Sequence, residues 1–179
     1  MFKDFEFNGN LDDVETGVPN YTDFITTIMT VKLKFHDYFG DEIMNRYPLM
    51  IDNGTKRTGY TPVITPVWDR GLIMKLHIDN GSDMAKVVYQ AAHEFTHYVF
   101  FSLAGLNKPR ADFTEESYCS AASLIFIKEY TPAMFELYKN YVAQLPNKDY
   151  KEGLNVAESV NYDMLALKEL IIAKAKTYQ

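Results

Sequence analysis

Residues 84–104 constrain this chain more than any other stretch. Asn80-Gly81 closes what comes before, Ser82 or Asp83 supplies an N-cap, and Gly105 supplies a stop. The spacing therefore predicts one helix from about Met84 to Ala104. Phe95, Val99, Phe100 and Phe101 make it apolar nearly all round. A helix of that kind cannot lie on a surface, so other elements must be wrapped around it. In its middle stands His93-Glu94-Phe95-Thr96-His97, five residues with two imidazoles and a carboxyl group in a segment that is otherwise core.

The elements available to wrap it can be read from their periods. Residues 1–20 are polar and acidic and read as an irregular arm. Asp23 can cap a helix in which Phe24, Ile28, Val31 and Phe35 recur at spacings of three and four, ending or bending at Gly40. Tyr47–Ile51 reads as a short strand, followed by turn signals at Asn53-Gly54 and Thr58-Gly59, with Lys56-Arg57 solvent-exposed between them. Val63–Trp68 is a second strand, made irregular by Pro62 and Pro66. Leu72–Ile78 is a third. It places Leu72, Met74, Leu76 and Ile78 on one face and Ile73, Lys75 and His77 on the other.

After residue 105 everything reads as helix. Asp112 and Glu115 suggest a capping box for a helix to about Glu129. Thr131-Pro132 opens another that Pro146 ends, and a last helix covers about Val156–Lys176. Helix, small antiparallel three-stranded sheet, then helices is an α+β order, expected to form a single domain over residues 1–179.

Composition closes off several alternatives. The 179 residues are 47% hydrophobic and 23% charged, which is a packed chain and not a disordered one. A net charge of −6 repels phosphate backbones and argues against nucleic acid and, more weakly, against anionic membranes. No run reaches the roughly 18 apolar residues of a membrane span. The N-terminus lacks the pattern of a signal peptide, so the expected compartment is the cytoplasm. Cys119 is the only cysteine, so neither an intrachain disulfide nor a multi-cysteine metal site can form.

Chemistry enters through the spacing of the histidines. On a helix, positions i and i+4 lie one turn apart on one face, so His93 and His97 can aim two imidazoles at one point. Zinc takes nitrogen ligands at about 2.0–2.1 Å and leaves one position open when its site is catalytic. Glu94 follows the first histidine and cannot reach that point as a ligand, but it can reach a water beside it. Two ligands and a general base are the division of labour of an HExxH pattern.

A third ligand is needed. A further histidine six residues after His97 is excluded, because position 103 is Leu. A carboxylate on the following helix remains, and both Glu115 and Glu116 stand there.

Here the chain resembles the gluzincins, the thermolysin-like zinc peptidases. It is most similar to the compact single-domain minigluzincins and to small bacterial and phage peptidases that cleave repressors. The resemblance rests on the HExxH segment and on Glu115-Glu116-Ser117-Tyr118-Cys119-Ser120-Ala121-Ala122, and it covers about residues 70–127. Matching the Glu that precedes a small residue makes Glu116 the implied ligand and leaves Glu115 to the capping box. The resemblance further implies a zincin-like fold, a zinc cofactor, a peptide or protein substrate, and a strand edge on which an extended peptide pairs; Leu72–Ile78 is either that edge or an ordinary internal strand, which one sequence does not decide. One departure is plain. The family carries an Asp four residues after the ligand Glu, as a partner for a histidine, and position 120 is Ser. A serine hydroxyl can accept from an imidazole N–H but brings no charge.

The other residues singled out have plainer readings beside the functional ones. His77 could approach a cleft or sit at the surface, and His36 is not a ligand. Cys119 lies one turn from Glu116 but reads as a small buried residue. Tyr118, Tyr130 and Tyr162 are candidate donors to an oxyanion, although most of the 13 tyrosines must be packing residues. The competing class is a zinc-binding regulatory or interaction module without catalysis.

Overall fold

A computed structural model describes the backbone at residues 5–7, and backbone and side chains at residues 19–53 and 61–179. The turn signals at 54–60, including Lys56-Arg57, and most of the expected N-terminal arm lie outside the described residues.

Four strands form one sheet in the order β1-β2-β4-β3: β1 (Phe5–Phe7), β2 (Leu49–Asn53), β3 (Val63–Val67) and β4 (Gly71–Leu76). The sheet is mixed, which corrects the antiparallel expectation. β1 runs parallel to β2, β2 parallel to β4, and only β3 is antiparallel to β4. Alternation predicted the buried face of β4 well, since Leu72, Met74, Leu76 and Ile78 are all buried. Alternation carries no information about pairing direction, because a period of two is the same in both ladders.

β4 is flanked by β2 and β3, so it is not an edge. The edge strands are β1 and β3, and Pro66 can stand in β3 because an edge tolerates a missing N–H.

The helices are α1 (Tyr21–Phe39), the single turn α2 (Asp41–Met44), α3 (Met84–Ala104), α4 (Phe113–Tyr130), α5 (Phe135–Gln144, entered through a 3-10 turn at Pro132–Met134), α6 (Lys148–Ser159) and α7 (Met164–Ala175). α3 has the expected bounds. The Asp83 carboxylate accepts from the Lys86 N–H at 3.1 Å, and Gly105 ends the helix at φ 99°. α1 starts earlier than expected, behind Asn20. Asp23 is not its cap but accepts from the Ser82 hydroxyl at 2.8 Å, tying α1 to the start of α3.

The expected last helix is in fact two. Asn161 and Tyr162 take left-handed conformations (φ 53° and 58°), and Asp163 then caps α7 through the Leu165 N–H at 2.8 Å. α6 was missed because Gly153 sits mid-helix, where propensity counts against it. At that position a Cβ would lie 2.4 Å from Cβ of Ser120, so the glycine is what lets α6 lie against α4.

Burial explains the arrangement. α3 is buried continuously from Ala91 to Ser102. It packs against α1, α4, α7 and the sheet. Phe35 of α1 stacks on Phe126 of α4 at 5.0 Å and meets Phe95 of α3 at 5.6 Å. Each such ring contributes about 1.5–3 kcal/mol by leaving water. α3 is pinned to the sheet by a side-chain clamp: Gln90 accepts from the His77 N–H at 2.7 Å and donates to the His77 carbonyl at 3.0 Å. Gln90 lies one turn before His93 and Glu94, so the clamp sets where those side chains stand. Among the described residues, no helix is long and apolar enough to cross a membrane.

Candidate metal centre

α3 and α4 together build the site. His93 and His97 are one turn apart on α3, both nearly buried, with ring centroids 5.0 Å apart and planes at 67°. α4 approaches them with consecutive acids that point to different nitrogens. Oε2 of Glu116 is 3.2 Å from Nε2 of His93, and its Oε1 is 3.6 Å from Nε2 of His97. Glu115 is fully buried and meets the other side of the second ring, with Oε1 2.7 Å from Nδ1 of His97.

Two atoms bound to one tetrahedral zinc stand about 3.4 Å apart, given bond lengths near 2.0–2.2 Å. Each Glu116 oxygen stands near that distance from one imidazole, Oε2 from His93 and Oε1 from His97. Cys119, one turn after Glu116 and fully buried, also faces the rings. His93, His97 and Cys119 bring one ligand atom each within 4.8 Å of one another, a group that could hold a metal ion.

Glu115 does not complete the expected capping box. Asp112 does its half, accepting from the Glu115 N–H at 3.0 Å. The Glu115 side chain instead turns inward to His97 and to Nζ of Lys108, 2.8 Å from Oε1 and 2.9 Å from Oε2. The Lys108 side chain is itself buried, with its ammonium 4.6 Å from the centre of the Phe101 ring. A buried carboxylate needs such partners, because desolvating it alone is very costly.

Ser120 plays no orienting part. Its hydroxyl is buried without a hydrogen-bond partner, and its Cβ is the one pressed against Gly153. An imidazole that donates one N–H to a carboxylate presents its other nitrogen as a fixed acceptor. Glu115 therefore supplies to His97 the charged partner that position 120 lacks.

The electrostatics of the cluster favour positive charge between the rings. Burial by itself would lower His97, but Cys119, Glu115 and Glu116 hold it well above the usual imidazole value. Burial would raise Glu116, but its hydrogen bonds to His93 and His97 hold it well below the carboxylate range. Burial pushes Glu94 up, only partly opposed by the two imidazoles. It pushes the Cys119 thiol up to about 12, with His97 in partial opposition.

Glu94 is almost wholly buried, and its Oε2 has no hydrogen-bond partner. A buried polar atom without a partner, beside two imidazoles and a carboxylate, is one that a bound cation or water could satisfy. Imidazole nitrogen, carboxylate oxygen and thiol sulfur are all donors that a zinc ion accepts.

A cleft of about 620 Å³ opens beside His93 and Glu94. Tyr150, from α6, lines it with its ring 5.7 Å from that of His93. Burial, with Glu116 and Glu94 adding to it, pushes the Tyr150 hydroxyl up to about 12, so it remains a donor at neutral pH. Sequence reasoning missed Tyr150 along with α6. The signal available was Asn147 directly after Pro146, a helix cap that accepts here from the Asp149 N–H at 3.0 Å. Tyr118, Tyr130 and Tyr162, the tyrosines singled out from sequence, do not line the cleft, and neither do His36 and His77. His36 bonds instead to Asp41 through Nδ1 at 2.8 Å. No protein-family model, curated protein or solved structure matches this chain.

Proposed function

We propose that this chain is a zinc-dependent peptidase of the gluzincin type, a zincin-like domain over residues 1–179 in which His93, His97 and Glu116 hold the metal. The observation that carries this reading is the convergence of the Glu116 carboxylate on Nε2 of both histidines, 3.2 and 3.6 Å away, beside the unpartnered Oε2 of Glu94. Zinc bound there would supply a Lewis acid that polarises the scissile carbonyl and lowers the pKa of water toward about 7.

The remaining steps belong to the chain's own side chains. Glu94 takes the proton of the attacking water and delivers it to the leaving amine; burial, which raises its pKa, suits it to both tasks. Tyr150 donates its hydroxyl proton in a hydrogen bond to the carbonyl oxygen as negative charge develops. Glu115 holds the His97 ring, and Lys108 in turn holds Glu115, at 2.8 and 2.9 Å from its two oxygens. The test is elemental analysis and peptide hydrolysis on the same preparation. One zinc per chain with cleavage is expected, and absence of zinc from a folded, zinc-exposed sample would sink the assignment.

One observation favours a second reading. The Cys119 thiol lies against the same rings, so Cys119 added to His93, His97 and Glu116 would supply four protein ligands, close the coordination and make the chain a zinc-binding module without catalysis. Cobalt substitution separates the two. An intense near-ultraviolet sulfur-to-cobalt band that disappears in Cys119→Ser would establish the closed site; its absence is expected for the peptidase.

A further inference from the structure

The cleft beside His93 and Glu94 has an asymmetric lining. Its path along α3 runs from His93 and Glu94 through Gln90 and Tyr89 to Lys86, a rise of about 10 Å at 1.5 Å per residue. Opposite, α5 contributes Leu137, Tyr138 and Tyr141. The three rings of Tyr89, Tyr138 and Tyr141 meet one another at 5.2, 6.3 and 6.3 Å, one pair tilted and two edge-on. Leu137 and Tyr141 are 59% and 52% exposed, so apolar surface at the cleft faces water and is not spent on the core.

Among the described residues, the charged groups that line the cleft away from His93 and Glu94 are already engaged. Lys86 pairs with Asp79 at 2.7 Å, and Asp83 caps α3. Away from the metal cluster, the described lining therefore offers no unengaged charge to select an ionic side chain. A ring entering this space would find stacked and edge-on partners.

Resting on the peptidase reading, we infer that this cleft is the specificity subsite and that it takes a large aromatic side chain of the substrate, next to the bond aligned with His93 and Glu94. Tyr141 and Leu137 are its determinants. Neither touches the metal cluster, so they set the preference for substrate and leave the metal site as it is.

The experiment titrates the zinc-loaded full chain with alanine hydroxamate and phenylalanine hydroxamate, which share the chelating group and differ by a phenyl ring, using calorimetry. Phenylalanine hydroxamate is expected to bind about tenfold or more tightly than the alanine compound. Tyr141→Ser and Leu137→Ser should each erode that ratio at constant zinc content and constant affinity for alanine hydroxamate. Leu165→Ser, an equally exposed leucine outside the cleft, should leave the ratio unchanged. Equal affinity of the two hydroxamates in the wild type would overturn the subsite and leave the peptidase reading standing. Failure of both to bind a zinc-loaded sample would mean that no open metal position exists, and both readings would fall together.

Discussion

Oε1 of Glu115 lies 2.7 Å from Nδ1 of His97, while the adjacent Glu116 faces Nε2 of the same ring at 3.6 Å. Two neighbours in sequence thus bracket one imidazole. Glu115 stands at the first turn of α4, where its carboxylate is also favoured by the unsatisfied N–H groups of the helix start. On the proposed reading Glu115 holds the ring and Glu116 the metal, and several outcomes follow from that separation.

Glu115→Gln keeps shape and removes charge. It should weaken zinc binding about 10- to 100-fold, the usual effect of losing the partner of a ligand histidine. Glu116→Gln should weaken it more. Competition with a chromophoric chelator measures both, and the reverse order would exchange the roles of the two acids.

Lys108→Met removes the cation from a buried pair and leaves the Glu115 carboxylate without it. A loss of about 3–5 kcal/mol is expected in urea unfolding of the metal-free protein. The double variant Lys108→Met with Glu115→Gln should recover much of the loss, because it removes the stranded charge as well. A double variant no more stable than Lys108→Met would refute the account.

Glu94→Gln should retain one zinc per chain and lower hydrolysis by about 10²–10⁴-fold, the range of general acid–base catalysis. Metal content and turnover must be read on one sample. Full activity in this variant would end the general-base assignment.

Tyr150→Phe should keep zinc and fold and reduce kcat about 10²–10³-fold, with KM little changed, because its hydrogen bond strengthens only as charge develops. A rise in KM alone would make Tyr150 a binding residue.

Gly153→Ala places a methyl group against Ser120 and the Ser117 carbonyl, where a Cβ would stand at 2.4 and 3.0 Å. α6 must then move away from α4, at a cost of about 1–3 kcal/mol. Tyr150 should be displaced with it, so Tm and kcat should fall together while zinc content holds. Unchanged Tm would show that the two helices have slack.

Local pattern determined a good deal by itself. The bounds of α3, the cap at Asp83, the stop at Gly105, the buried face of β4 and the pairing of His93 with His97 on one helical face all follow from interactions within a few residues, and they were legible. Only the tertiary structure decided the rest. Pairing direction in the sheet depends on where the chain passes between strands, and whether β4 lay at an edge or inside, open from sequence, was decided by the pairing that put it inside. The partner of the Glu115 side chain was a choice between a local bond to the Asp112 backbone and a distant imidazole. Burial decided it, since an interior that already held His97 and Lys108 offered the carboxylate two strong partners in place of one weak one. Tyr150 reached the cleft only because Gly153 lets α6 lie against α4, a contact between residues more than thirty positions apart that no periodicity encodes.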